Sequence, residues 1–157
     1  MADASMGYQA MNAGKPDESS NAIYDSRGFL PAFEKDIYTA RREIVISSPY
    51  MKKSRAMQML KILSAARING ARVTVITRPL EDYKLADQPG VPALQKALTD
   101  AGVRVLMKPG AHQKFAVIDQ SVVWYGNINL LGYGSAEESI MRLEQQEIAE
   151  ELLRMID

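Results

Sequence analysis

Apolar residues switch between two rhythms along this chain, and the switches predict the order of its elements. Ala22-Ile23-Tyr24 is a short strand candidate. Phe29, Leu30, Phe33, Ile37 and Ala40 then follow helical spacing. Glu43-Ile44-Val45-Ile46-Ser47 is short and β-branched, as a strand buried on both faces would be, and Ser48-Pro49-Tyr50 ends it. Ser54 is placed to cap a helix carrying Met57, Leu60, Ile62, Leu63 and Ile68, with Asn69-Gly70 as its stop. Ala71 to Thr77 is the next strand. A polar loop, Arg78 to Gly90, precedes a helix from Val91 to Ala101; Gly102 ends it and Val103 to Met107 forms a strand. Two strands follow, Lys114 to Ile118 and Ser121 to Tyr125. Ser139 to Leu143 reads as another, and Glu144 to Met155 as a closing helix with Ile148, Leu152 and Met155 on one face. This alternation predicts an α/β fold: a mixed, largely parallel sheet flanked by helices on both faces. No internal repeat is present.

Composition narrows the function classes. A chain of 157 residues, 46% of them hydrophobic, is long enough for one domain with its own core. The 19 basic and 19 acidic side chains cancel, so affinity for phosphate must come from a local cluster. There is no cysteine and one histidine, so a zinc site would rest on carboxylates, and no metal or other cofactor is expected. No segment reaches the roughly 18 apolar residues of a membrane span. Residues 1–20, rich in Ala, Gly, Asp and Ser, lack the basic start and apolar run of a signal peptide. They are expected to be a flexible leader or linker, with the folded domain over 21–157, a cytoplasmic location and no stable membrane association.

The chemistry concentrates late in the chain. His112 and Lys114 sit two apart at the start of a predicted strand, so they share a face. An imidazole beside an ammonium suits a phosphate group: one attacks or moves a proton while the other holds negative charge. The next strand ends in Gly126-Asn127-Ile128-Asn129. A glycine there lets backbone approach a ligand, and Asn129 adds an amide donor. Lys108, on the turn before His112, is a candidate substrate contact.

Together these residues resemble the HKD motif of the phospholipase D superfamily: His-x-Lys, four residues, Asp, six residues, Gly-Ser-x-Asn. His112, Lys114, Asp119, Gly126 and Asn129 all fall at that spacing. Asn127 departs from it, standing where the superfamily more often has a small hydroxyl residue. The resemblance covers residues 112 to about 138. It implies a metal-independent, two-step reaction: one histidine attacks phosphorus, and a second protonates the leaving oxygen and then activates water or an alcohol. It also implies a downstream carboxylate that orients the ring, for which Glu138 is the first candidate and Glu137 the alternative. The candidate catalytic set is therefore His112, Lys114, Asn129, Glu138 and Asp119. Asp119, at an odd offset from Lys114, is favoured for a structural or network role. Asn127, Gly126 and Lys108 are candidate substrate contacts.

The scheme needs two histidines and the chain has one. A symmetric homodimer is the simpler source of the second; a partner domain in a longer natural chain is the other. The leading function is a nuclease, an endonuclease-like hydrolase of DNA or RNA. It resembles the compact bacterial enzymes of the superfamily and the nuclease modules attached to helicases. A non-catalytic nucleic-acid-binding or dimerisation module is an alternative, with Arg41, Arg42, Lys52, Lys53 and Arg55 as candidate basic surface. A phospholipase or phosphatidyltransferase is a further one.

Overall fold

The computed structural model describes residues 21–132 and 137–156. Seven strands form one sheet: β1 (Ala22–Asp25), β2 (Glu43–Ser47), β3 (Arg72–Thr77), β4 (Arg104–Met107), β5 (Phe115–Ile118), β6 (Val122–Gly126) and β7 (Ser139–Glu144), in the order β1-β7-β6-β5-β2-β3-β4. Four helices accompany them: α1 (Phe29–Thr39), α2 (Lys53–Ile68), α3 (Val91–Asp100) and α4 (Gln146–Met155). Two single-turn 3₁₀ segments interrupt the loop after β3.

The sheet is mixed, as expected, but not largely parallel. Only β2–β3 and β3–β4 pair in parallel; the other four pairings are antiparallel. The physical reason lies in the connections. Helices α2 and α3 return the chain for parallel pairing, whereas Asp119-Gln120 closes β5 onto β6 as a tight hairpin. Its loop is Asp119 to Ser121, and the first two of these residues have positive φ, 51° and 58°.

Alternation along the strands divides the core between the two faces. Ile44, Ile46, Val73, Val75, Ala116, Ile118 and Trp124 pack with α1, α2 and α3. Val45, Ile76, Phe115, Val117 and Val123 pack with Ala149 and Leu152 of α4. Helix α1 buries Phe29, Phe33 and Ile37, the helical stripe read from the sequence. Trp124 stacks near Tyr24 and Phe33 and donates its indole N–H to Asp36 at 2.8 Å. Asp36 also takes Arg142 in a half-buried ion pair, so three donors converge on one carboxylate.

Two boundaries moved, and one held where the sequence placed it. Helix α2 begins at Lys53 with no side-chain cap, so Ser54 lies inside its first turn instead of capping it. Gly70, at φ 102°, ends that helix in a left-handed turn that glycine adopts without strain. The strand predicted from Lys114 starts at Phe115, which leaves His112 and Lys114 on an extended lead-in.

Candidate active site

The carboxyl ends of β2, β3 and β6 and the amino ends of β5 and β7 meet at one edge of the sheet. The lead-in to β5 runs across that edge. Two bonds fix it: Ser47 Oγ donates to the Gln113 carbonyl at 2.7 Å, and the Gly126 N–H reaches the Lys114 carbonyl at 3.3 Å. His112 is exposed and Lys114 half-buried. The Lys114 ammonium lies 3.4 Å from the Asn127 carbonyl. Asn129 is half-buried on the loop after β6, and its Oδ1 accepts the Tyr50 N–H at 3.4 Å. Ser48 ties the two loops together: its Oγ donates to the Tyr50 carbonyl and accepts the Leu131 N–H. His112, Lys114 and Asn129 thus share one end of the sheet.

Arg78 is the residue that sequence reading missed. It directly follows β3 and bridges the loops. Its Nε donates to the Ala111 carbonyl at 2.7 Å, its Nη1 to the Tyr50 hydroxyl at 2.7 Å, and its Nη2 meets His112 Nδ1 at 3.0 Å. The guanidinium also stands 5.0 Å from the Tyr50 ring centroid. The available signal was its place, first after a parallel strand, where α/β sheets gather ligand-binding groups.

Other candidates sit differently from expectation. Asp119 was counted in the catalytic set, but it lies at the far end of β5 from Lys114, in the hairpin. Its carboxylate accepts the N–H groups of Arg41 (3.0 Å), Arg42 (2.7 Å) and Glu43 (3.0 Å). Burial alone would raise its pKa. Those three donors and the Arg42 charge outweigh burial and hold it below the ordinary aspartate value. Asp119 therefore pins β2 to the hairpin, the structural role favoured for it.

Gly126 is required by packing. A Cβ there would meet the Ser139 carbonyl oxygen and lie 2.7 Å from Ile140 Cα, so the glycine admits β7 and not a ligand. Asn127, expected to touch substrate, accepts the Ser139 N–H on its Oδ1 at 3.0 Å and so also serves that strand. Lys108 lies exposed on the turn before His112, its N–H bonded to the Thr77 carbonyl. Glu138 is half-buried immediately before β7, at the site end, while Glu137 is exposed in the preceding turn.

The expected basic surface divides. Arg41 and Arg42 flank Asp119 at the far end, whereas Lys52, Lys53 and Arg55 follow β2 at the site end. Lys52 pairs with Asp87 at 3.2 Å, and Arg55 covers the Phe29 ring. Among the described residues, no group of three or more His, Cys, Asp or Glu side chains is arranged to hold a metal ion. Nor is any described helix long and apolar enough to cross a membrane.

Residues 33–157 match the family model described as the PLD-like domain of cardiolipin synthase. The chain belongs to the phospholipase D superfamily. Cardiolipin synthase A of Buchnera aphidicola is 28% identical over 126 residues, which is 76% of this chain but 25% of that protein. The chain thus spans about a quarter of the length of the curated relatives it matches. Among solved structures, the phospholipase D family member Nuc from Salmonella typhimurium aligns with a TM-score of 0.70 at 17% identity, covering 87% of this chain and 90% of Nuc. The phosphatidylserine synthase of Haemophilus influenzae aligns at 0.71 and 14% identity, covering 99% of this chain and 41% of that one. These likenesses extend the fold over far more of the chain than the motif alone. The fold and the family are thereby fixed for the region that carries His112 and Lys114.

Proposed function

We propose that this phospholipase D-like chain is a phosphodiester hydrolase, a metal-independent nuclease on DNA or RNA that works through a phosphohistidine, with a site shared by two subunits. The observation that carries the reading is the grouping of His112, Lys114 and Asn129 at one end of the sheet, with Arg78 against the ring. The imidazole attacks phosphorus and expels an alcohol oxygen. The lysine, the asparagine amide and the guanidinium stabilise the phosphoryl oxygens as charge builds on them. Glu138 orients the histidine ring and stabilises its charged form. The leaving oxygen needs a proton that a second histidine supplies. These 157 residues hold one histidine, and the reading assigns the second to another copy of the chain rather than to a partner domain.

An apolar groove of about 480 Å³ runs between the β6–β7 face and α4, with exposed Tyr125, Met141, Ile148 and Met155 contributing to it. Gln113 lines it, so by alternation His112 and Lys114 turn to the other face of the sheet.

A second reading rests on the family model and the cardiolipin synthase relatives: transfer of a phosphatidyl group between alcohols. One experiment separates the two. Labelled single- and double-stranded DNA and RNA, and vesicles of phosphatidylglycerol, are incubated with the chain in excess EDTA, with His112→Ala as control. Cleavage of nucleic acid that survives the chelator and vanishes in the variant is expected. Lipid turnover alone supports the second reading, and hydrolysis that requires added magnesium overturns the phosphohistidine mechanism.

A further inference from the structure

Beside the His112 end of the sheet lies a smaller hollow that the proposed phosphorus chemistry does not use. It measures about 300 Å³, the low end of the range for small-ligand sites, and is lined by Tyr50, Met51, Lys52, Tyr83, Lys84 and Asp87. The strands place it. Tyr50, Met51 and Lys52 follow β2, and Tyr83, Lys84 and Asp87 belong to the loop after β3. The two strands are parallel, so both loops leave the sheet at the edge crossed by the lead-in to β5. Asp82 ties the second loop to that lead-in, its carboxylate accepting the Gly110 N–H at 2.9 Å.

The walls of the hollow are aromatic and fixed. The Tyr50 and Tyr83 rings stand at 87°, with centroids 5.0 Å apart. The Tyr83 hydroxyl accepts the Met51 N–H at 2.9 Å, and the Tyr50 hydroxyl accepts Arg78 Nη1 at 2.7 Å. The rim is cationic. Lys84 is exposed, and the half-buried Lys52 has its ammonium 3.2 Å from Asp87, so two ammoniums stand against one carboxylate. Tyr50 also joins the hollow to the candidate site. The Arg78 guanidinium bonded to its hydroxyl lies over the His112 ring, with Nη2 3.0 and 3.5 Å from the two ring nitrogens. One guanidinium therefore separates the aromatic wall from the histidine.

Such a hollow suits a flat aromatic group attached to phosphate. Tyrosine rings take a flat ring by stacked or edge-to-face contact, and the lysines take the negative charge beside it. A nucleotide has both parts, whereas a lipid phosphate carries glycerol and acyl chains that have no flat face. Building on the nuclease reading, on which this rests, we propose that the Tyr50–Tyr83 hollow holds the nucleobase next to the phosphate at His112, with Lys52 and Lys84 on the adjoining backbone. Only an unpaired base enters, because a paired base must first leave its stack and its partner. The chain therefore selects single-stranded nucleic acid over duplex. Tyr50 and Tyr83 are specificity residues that touch substrate and take no part in the bond changes.

Binding and cleavage test this separately. His112→Ala chains are titrated in EDTA, at fixed salt, against a fluorescein-labelled oligothymidylate and against the same backbone with abasic residues, followed by anisotropy. The base-bearing strand should bind about tenfold tighter. Tyr50→Leu should bring the two strands together, whereas Tyr50→Phe, which keeps the ring, should hold them apart. Lys52→Glu with Lys84→Glu should weaken both strands alike. With the comparison of strands on the parent chain, that surface variant locates binding at the hollow if Tyr50→Leu fails to fold. Wild type should cleave a labelled single strand about tenfold faster than the same strand in duplex. Equal binding of base-bearing and abasic strands, an unchanged ratio in a folded Tyr50→Leu, or equal cleavage of duplex overturns the proposal. So does binding of phosphatidylglycerol vesicles with none of oligonucleotide. Base-dependent binding without any diester hydrolysis by wild type would sink the proposed function and leave the base-binding hollow standing.

Discussion

Strand β5 is four residues long, and its two ends hold opposite kinds of polar group. Beyond its carboxyl end, the Asp119 carboxylate accepts three backbone N–H groups and the Asp119 carbonyl takes the Arg42 guanidinium. Before its amino end, His112 is exposed, and the Lys114 ammonium has a 3.4 Å contact to one carbonyl. One end spends its polar groups on holding the chain together, and the other keeps them accessible. Five residues at one motif spacing therefore do two separate jobs. On the proposed reading His112, Lys114 and Asn129 meet the ligand, while Asp119 and Gly126 build the hairpin and admit β7.

Substitutions should separate the two ends. The largest effect is expected from His112→Ala, which should lower diester turnover by about 10³-fold or more. Its stability should stay within about 0.5 kcal/mol of wild type, because the side chain is exposed. Denaturant unfolding beside a turnover assay checks both halves. Lys114→Ala should cost roughly a hundredfold in turnover, the scale of losing one donor to a developing oxyanion, again with the fold intact. A loss of activity explained by unfolding would erase the contrast.

Asp119→Ala should do the reverse: a stability loss of about 1–3 kcal/mol, the cost of leaving its donors without their acceptor, with little change in turnover per folded molecule. Its pH dependence has a definite sign. The folded-state value lies below the ordinary one, so the carboxylate's stabilisation is present above the unfolded aspartate range and is lost as pH falls through the depressed value. Acid titration of wild type against Asp119→Asn should therefore diverge above about pH 4 and converge in stronger acid. The smallest effect is expected from Asn127→Ala. It should lose about 0.5–1.5 kcal/mol with the Ser139 bond and less than about tenfold in turnover, separating it from Asn129.

What could be read from the sequence follows the range of the forces involved. Local periodicity found the seven strands and four helices of the described residues, because each buries a stripe or a face that its own spacing records. The sense of strand pairing depends on which connection returns the chain, and that escaped it; β5 pairs antiparallel to β2 across two intervening strands and two helices. The motif named the histidine, lysine and asparagine by spacing. It did not reveal Arg78, 34 positions away, because the Arg78–His112 contact exists only once β3 and the β5 lead-in end together. Gly126 and Asn127 looked like ligand contacts from their neighbours in sequence. Their actual neighbour is Ser139, which pairing with β7 brings in.

The central claim is that His112 becomes covalently bonded to phosphorus, and a chain with one histidine allows a direct check. Wild-type protein is mixed with a diester substrate in excess EDTA, quenched in base, and mapped by mass spectrometry. The account predicts a base-stable, acid-labile phosphoryl adduct at residue 112 that decays as product forms and is absent from His112→Ala. Sustained turnover with no adduct at that residue, or turnover retained by His112→Ala, would contradict it.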